Sequence, residues 1–91
     1  MQIIYKTQLT PLDGIEYISI PKTAVFLTLK VQYNTPTLWY ILDVDNTEFI
    51  SVTIHKFLTG RKTNNLYELD YIDTCILDDG DYVLHVFKEI K

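Results

Sequence analysis

Apolar and polar residues alternate with a period of two along most of this chain. "QIIYKTQL" places Ile3, Tyr5, Thr7 and Leu9 on one side. "IEYISI" sets Ile15, Tyr17 and Ser19 against Glu16, Ile18 and Ile20. The clearest run is "AVFLTLKVQY", with Val25, Leu27, Leu29, Val31 and Tyr33 on one face and Phe26, Thr28, Lys30 and Gln32 on the other. Strict alternation rich in β-branched and aromatic residues is the pattern of a half-buried β-strand. "FISVTIHKF" continues it, with Ile50, Val52 and Ile54 inward and Ser51, Thr53 and His55 outward. "TLWYIL", "DYIDTCIL" and "DYVLHVFKE" complete the set.

Turn chemistry separates these runs. Asn34–Pro36 suits a hairpin turn, Asp43–Glu48 is a polar break, and Pro11–Gly14 joins the first two runs. Asp79-Gly80 inside "DDGD" is a strong hairpin signal. From Leu58 to Glu68 the alternation stops, and "LTGRKTNNLYE" is the longest loop. No window shows a convincing helical period. The pattern therefore predicts one all-β domain over residues 1–91, an antiparallel β-sandwich or small barrel of about seven short strands. Sequential hairpins are expected through the third to fifth strands and in the last pair. The expected core is Val25, Leu27, Leu29, Val31, Ile50, Val52, Ile54, Leu84 and Val86, with Trp39 as a core anchor.

Composition narrows the function classes. The chain is 47% hydrophobic and 22% charged, too apolar to remain disordered. Its net charge of −4 argues against a nucleic-acid backbone as the main ligand, which needs clustered Lys and Arg. No stretch approaches the ~20 apolar residues of a membrane span, and "MQIIYKTQL" is charged too early for a signal peptide. A single cysteine, Cys75, excludes an internal disulfide and a cysteine-based zinc site, and its place in "DTCIL" is that of a core residue.

Catalytic spacing is missing. The two histidines, His55 and His85, form no H-x-H, H-x₃-H or HExxH pattern, so neither a catalytic residue nor a metal or other cofactor is expected. His85, with Val83 and Phe87 on one strand face and Leu84 and Val86 on the other, reads as a structural histidine on a central strand. Two segments compete as a contact surface. The first, from Glu68 to Asp81, holds six carboxylates and no Lys or Arg; its Asp78, Asp79 and Asp81, with Tyr71 and Tyr82, suit a basic partner. The second is the loop with Gly60, Arg61 and Lys62, which suits an anionic ligand.

The order "IYK", "ISIP", "LKVQY", "PTLWYILD", "TG", "YIDT" and "YVLHVF" resembles a family of small uncharacterised bacteriophage proteins of this length. One departure is Arg61, which stands where the pattern has a histidine after "TG". The resemblance implies a stand-alone β domain working in the cytoplasm of an infected bacterial host, and it carries no catalytic residue. The expected function is a non-enzymatic interaction protein that binds a host or phage macromolecule and antagonises a host defence. A protein partner with a basic surface is favoured, with self-association allowed and with nucleic acid and membrane disfavoured. The alternatives are a binder or sponge for a nucleotide signal and a minor virion or assembly component.

Overall fold

The computed structural model describes residues 1–46 and 48–89. Seven strands follow the alternating runs: β1 (Gln2–Gln8), β2 (Gly14–Pro21), β3 (Val25–Gln32), β4 (Thr35–Asp43), β5 (Phe49–Leu58), β6 (Leu69–Leu77) and β7 (Tyr82–Glu89). The helical content among the described residues is one 3₁₀ turn, Leu66–Glu68, while Asp78–Gly80 forms a tight left-handed turn closed by the Asp81 N–H donating to the Asp78 carbonyl (3.1 Å). All strand pairs are antiparallel, in a three-stranded sheet ordered β1-β4-β3 and a four-stranded sheet ordered β2-β5-β7-β6. The fold is the expected all-β one, in its two-sheet, sandwich-like form.

Hairpins form where the turns demand left-handed backbone. Tyr33 and Asn34 (φ 53° and 56°) connect β3 to β4, and Asp78, Asp79 and Gly80 (φ 51°, 54° and 99°) connect β6 to β7. The expected hairpin between the fourth and fifth strands does not form. Both edges of β4 are already occupied by β1 and β3, so β5 crosses to the other sheet and pairs with β2 and β7. Thr47, inside the predicted Asp43–Glu48 turn, lies outside the described residues. The Pro11–Gly14 turn likewise carries the chain from one sheet to the other.

The core comprises Leu9, Ile18, Ile20, Leu29, Leu38, Tyr40, Ile54, Cys75 and Val86, with Phe26, Val52 and Ile72 packed against it. Leu29, Ile54, Leu84 and Val86 are buried as expected, and Val52 is half-buried, but Val25, Leu27, Val31 and Ile50 are exposed. The reason for the first two is a bulge. The β3–β4 register slips between Phe26 and Thr28, so the alternation reverses there: Phe26 lies opposite the buried Tyr40, and Val25 lies opposite Ile41 on the outer face. Val31 and Ile50 sit near strand ends, Ile50 beyond the stretch of β5 that pairs with β7. A second register slip in β6, between Tyr71 and Asp73, turns Ile72 toward the core, and β3 packs alongside β6. Trp39, expected as a core anchor, is instead on the outer face, half-buried, with the Lys6 ammonium 6.0 Å above its ring, and its neighbour Tyr40 occupies the core.

Among the described residues, one charge is inside. Lys56, 2% exposed, donates to the Thr10 carbonyl (2.7 Å), the Thr10 hydroxyl and Glu16 Oε1 (2.6 Å). The three acceptors match its three N–H donors, the condition under which a buried ammonium is tolerated.

The bulge assignment gives a direct contrast. Leu29→Ala should lower unfolding stability by about 2–5 kcal/mol, whereas Val25→Ala should stay within about 0.5 kcal/mol. Denaturant titration of both variants reads the difference.

Candidate functional site

The outer face of the four-stranded sheet is lined by aromatic rings. Alternation directs His55 and Phe57 of β5 outward, with His85 and Phe87 of β7 and Tyr71 of β6, and the register sets His55 and Tyr71 opposite Phe87, and Phe57 opposite His85. Phe57 and Phe87 meet edge to face at 5.7 Å, Tyr71 and Phe87 at 5.4 Å, and His55 stacks on Phe57 at 6.3 Å. Such cross-strand aromatic pairs stabilise a sheet and build a rigid apolar surface.

The loop after β5 roofs part of this strip. Gly60 and Asn65 supply its left-handed positions (φ 87° and 68°). Thr59 is tied down twice: its N–H donates to the Val83 carbonyl (3.3 Å), and its hydroxyl lies 2.6 Å from His85 Nε2. The other ring nitrogen of His85 is 2.9 Å from the Thr74 hydroxyl, which is itself 2.6 Å from the Tyr71 hydroxyl. A neutral imidazole needs one donor and one acceptor, and two threonine hydroxyls supply either role. His85 thus fastens loop to sheet through two threonine hydroxyls.

Arg61 is the second clamp. Its guanidinium lies 5.1 Å from the Phe57 ring and pairs with Asp13 Oδ1 at 2.6 Å. The other Asp13 oxygen accepts the Leu58 N–H (2.8 Å). Between loop and sheet is a cavity of about 450 Å³ lined by Phe57, His55, Arg61, Asn64, Glu68 and Glu89, within the size range of small-ligand sites. Neighbouring hollows that share Thr63 with it continue toward Tyr71, His85 and Phe87. Glu89 Oε2 lies 3.0 Å from His55 Nε2.

The predicted contact residues are distributed over the molecule. Asp78, Asp79 and Asp81 share the exposed tip of the β6–β7 hairpin, where Asp78 and Asn34 exchange two hydrogen bonds (2.6 and 2.9 Å). Tyr71 is at the opposite end of β6 on the outer face, 56% exposed. Tyr82 is half-buried on the inner face of β7, and its hydroxyl accepts the Asp13 N–H (3.2 Å). Only the first part of the acidic segment, Glu68 and Tyr71, reaches the groove. Gly60, Arg61 and Lys62 all lie in the roof and are exposed, with the Arg61 charge already matched. Sequence reasoning did not single out Asp13, Phe57, Phe87 or Glu89. The available signal was β7, apolar on both faces, which requires a cover on the outer one.

Burial raises the Cys75 thiol to about 11, with Asp73 adding to the effect, so it stays protonated at neutral pH. Burial, and then Tyr5, raise the Tyr40 phenol as well. Among the described residues no three metal-ligating side chains converge.

Fold and site together define a two-sheet all-β domain whose larger sheet carries a roofed aromatic groove. The chain matches over residues 1–91 the model of a family described as Domain of unknown function (DUF7352), and it belongs to that family. Neither a curated protein nor a solved structure matches it.

The two clamps on the roof predict a proteolytic phenotype. Trypsin cleavage after Arg61 and Lys62 should accelerate in His85→Ala and in Asp13→Asn relative to the unmodified protein, at a temperature where both variants retain the β spectrum. Unchanged cleavage in both would show that these contacts do not hold the roof.

Proposed function

We propose that this protein is a small non-enzymatic interaction protein whose groove receives a basic side chain of a protein partner. The observation that carries the reading is the charge balance of the groove. Arg61 is paired with Asp13 at 2.6 Å, so the carboxylates of Glu68 and of Glu89, the latter 3.0 Å from His55 Nε2, line the cavity with Phe57, whose ring adjoins Phe87 and through it Tyr71. Aromatic faces with nearby carboxylates favour Lys or Arg, through cation–π attraction and charge pairing. A phosphate placed there would meet two acids. This makes the nucleotide-signal reading the weaker one, although Lys62 is on the same loop.

The exposed tip of Asp78, Asp79 and Asp81 supports the same choice of partner from a distance. With an overall charge of −4, it would speed encounter with a basic surface without contacting the groove. The setting we propose is the cytoplasm of a phage-infected bacterium, with a host or phage protein, for instance a component of a host defence, as the target. The support for that setting is the resemblance to bacteriophage proteins.

Titration of the labelled protein with short acetylated peptides containing Lys or Arg, and separately with a mononucleotide, tests this by nuclear magnetic resonance. The expected result is that the basic peptides shift the signals of Phe57, Tyr71 and Phe87, more weakly as salt rises. Glu68→Gln with Glu89→Gln should reduce that affinity several-fold, while Asp78→Asn, Asp79→Asn and Asp81→Asn together should slow association alone. A mononucleotide that binds where the peptides do not, and loses binding in Arg61→Ala with Lys62→Ala, would replace this reading with the anionic-ligand one.

A further inference from the structure

A strand at the border of a sheet presents a row of unmatched backbone N–H and C=O groups, and proteins blunt such borders with bulges, prolines or charges. Among the described residues, β1 and β3 border the smaller sheet, and β2 and β6 the larger. Three of these four carry such devices. The bulge interrupts β3, which also bears Lys30; the register slip interrupts β6, which bears Asp70 and Asp73; β2 ends in Pro21 and turns Glu16 inward. In addition, β3 and β6 lie alongside one another.

β1 is different. Its register with β4 is unbroken over all seven residues, it contains no proline, and its one charge is Lys6. That ammonium reaches back across its own sheet, donating to Gln32 Oε1 at 2.6 Å and lying over Trp39, so it does not guard the border. Ile3, Ile4 and Tyr5 are 44%, 63% and 59% exposed.

The direction of the free groups follows from the ladder. Leu9 N–H donates to the Pro36 carbonyl (2.9 Å) at one end of β1, and Val44 N–H donates to the Met1 carbonyl (3.0 Å) at the other. In an antiparallel pair the bonded positions alternate, so Ile3, Tyr5 and Thr7 bond to β4. Gln2, Ile4, Lys6 and Gln8 therefore direct their N–H and C=O groups away from the sheet.

We propose that β1 pairs antiparallel with the β1 strand of a second copy of this chain, about a twofold axis through Tyr5. Tyr5 is the midpoint of the strand, so pairing about it uses the full length. It also matches the free groups: Ile4 bonds to the partner's Lys6, and Gln2 to the partner's Gln8. The non-bonded positions, where side chains stand closest, set Tyr5 against Tyr5 and Ile3 against Thr7. No charge meets a like charge, whereas a twofold axis moved one residue to Lys6 would oppose two ammonium groups. The border is thus complementary to itself, the property of an isologous dimer interface. The two smaller sheets become one six-stranded sheet. This pairing is independent of the groove on the other sheet.

Light scattering on the full chain across a concentration series should give twice the 10.7 kDa chain mass. Lys6→Pro removes an N–H that points outward, so it should return the mass to monomer and retain the β spectrum. Tyr5→Cys should form a disulfide-linked dimer on mild oxidation, since directly opposed positions bring the thiols into range, while Thr7→Cys should not. The native Cys75 is buried and leaves the assay clean. A protein that stays monomeric throughout the series would overturn the proposal. So would a folded Lys6→Pro that remains dimeric, or a dimer that cross-links through Thr7→Cys and not Tyr5→Cys.

Discussion

The buried ammonium of Lys56 is the constraint around which the two sheets are joined. A charge in the interior is tolerated only when its hydrogen bonds are complete, because desolvation costs several kcal/mol otherwise. Two of its three acceptors belong to Thr10 and the third to Glu16, which in turn accepts both the Thr10 N–H (2.9 Å) and the Thr10 hydroxyl (3.0 Å). Thr10 lies in the segment that leaves β1 in one sheet and enters β2 in the other. Satisfying Lys56 therefore fixes where the chain crosses. The neighbouring Leu9, 2% exposed, seals the crossover with apolar packing.

The crossover then sets the groove. Three residues beyond Thr10, Asp13 uses one carboxylate oxygen to hold the end of β5 at Leu58 and the other to hold Arg61 in the loop. Its own N–H is held by Tyr82 of β7. One short segment thus links the smaller sheet, the β5–β7 pair and the roof over the aromatic floor. Because Arg61 is used in that link, the groove keeps an acidic lining, and the preference proposed for a basic partner follows from a structural ion pair. The border of β1 lies outside this network, which leaves it available for a second copy.

The alternation of the chain was sufficient for the strands, because one residue in two must face a core. It was insufficient at β3 and β6. A bulge adds one residue without changing composition, so Leu27 and Leu29 look equivalent in sequence although only Leu29 is buried. The separation of β4 from β5 was hidden for a related reason. Which edge of β4 remains free depends on β1, distant in sequence. The acidic stretch was legible as composition, yet strand geometry sends Tyr71 and Tyr82 to opposite faces and leaves the aspartates at a tip. The alternation that turns Ile54 inward also turns Lys56 inward, but what satisfies its charge was illegible, because its partners are 40 and 46 residues away in the chain.

The most direct test of this account is site-resolved amide hydrogen exchange on Lys56→Met, which keeps the stem volume and removes the charge. The Thr10 and Leu58 amides report on the two halves of the link, one bonded to Glu16 and the other to Asp13. The account predicts that both exchange faster in the variant, followed by the Arg61 amide of the roof, while the β3–β4 ladder keeps its protection. Equal protection of Thr10 and Leu58 in the variant and the unmodified protein would contradict it.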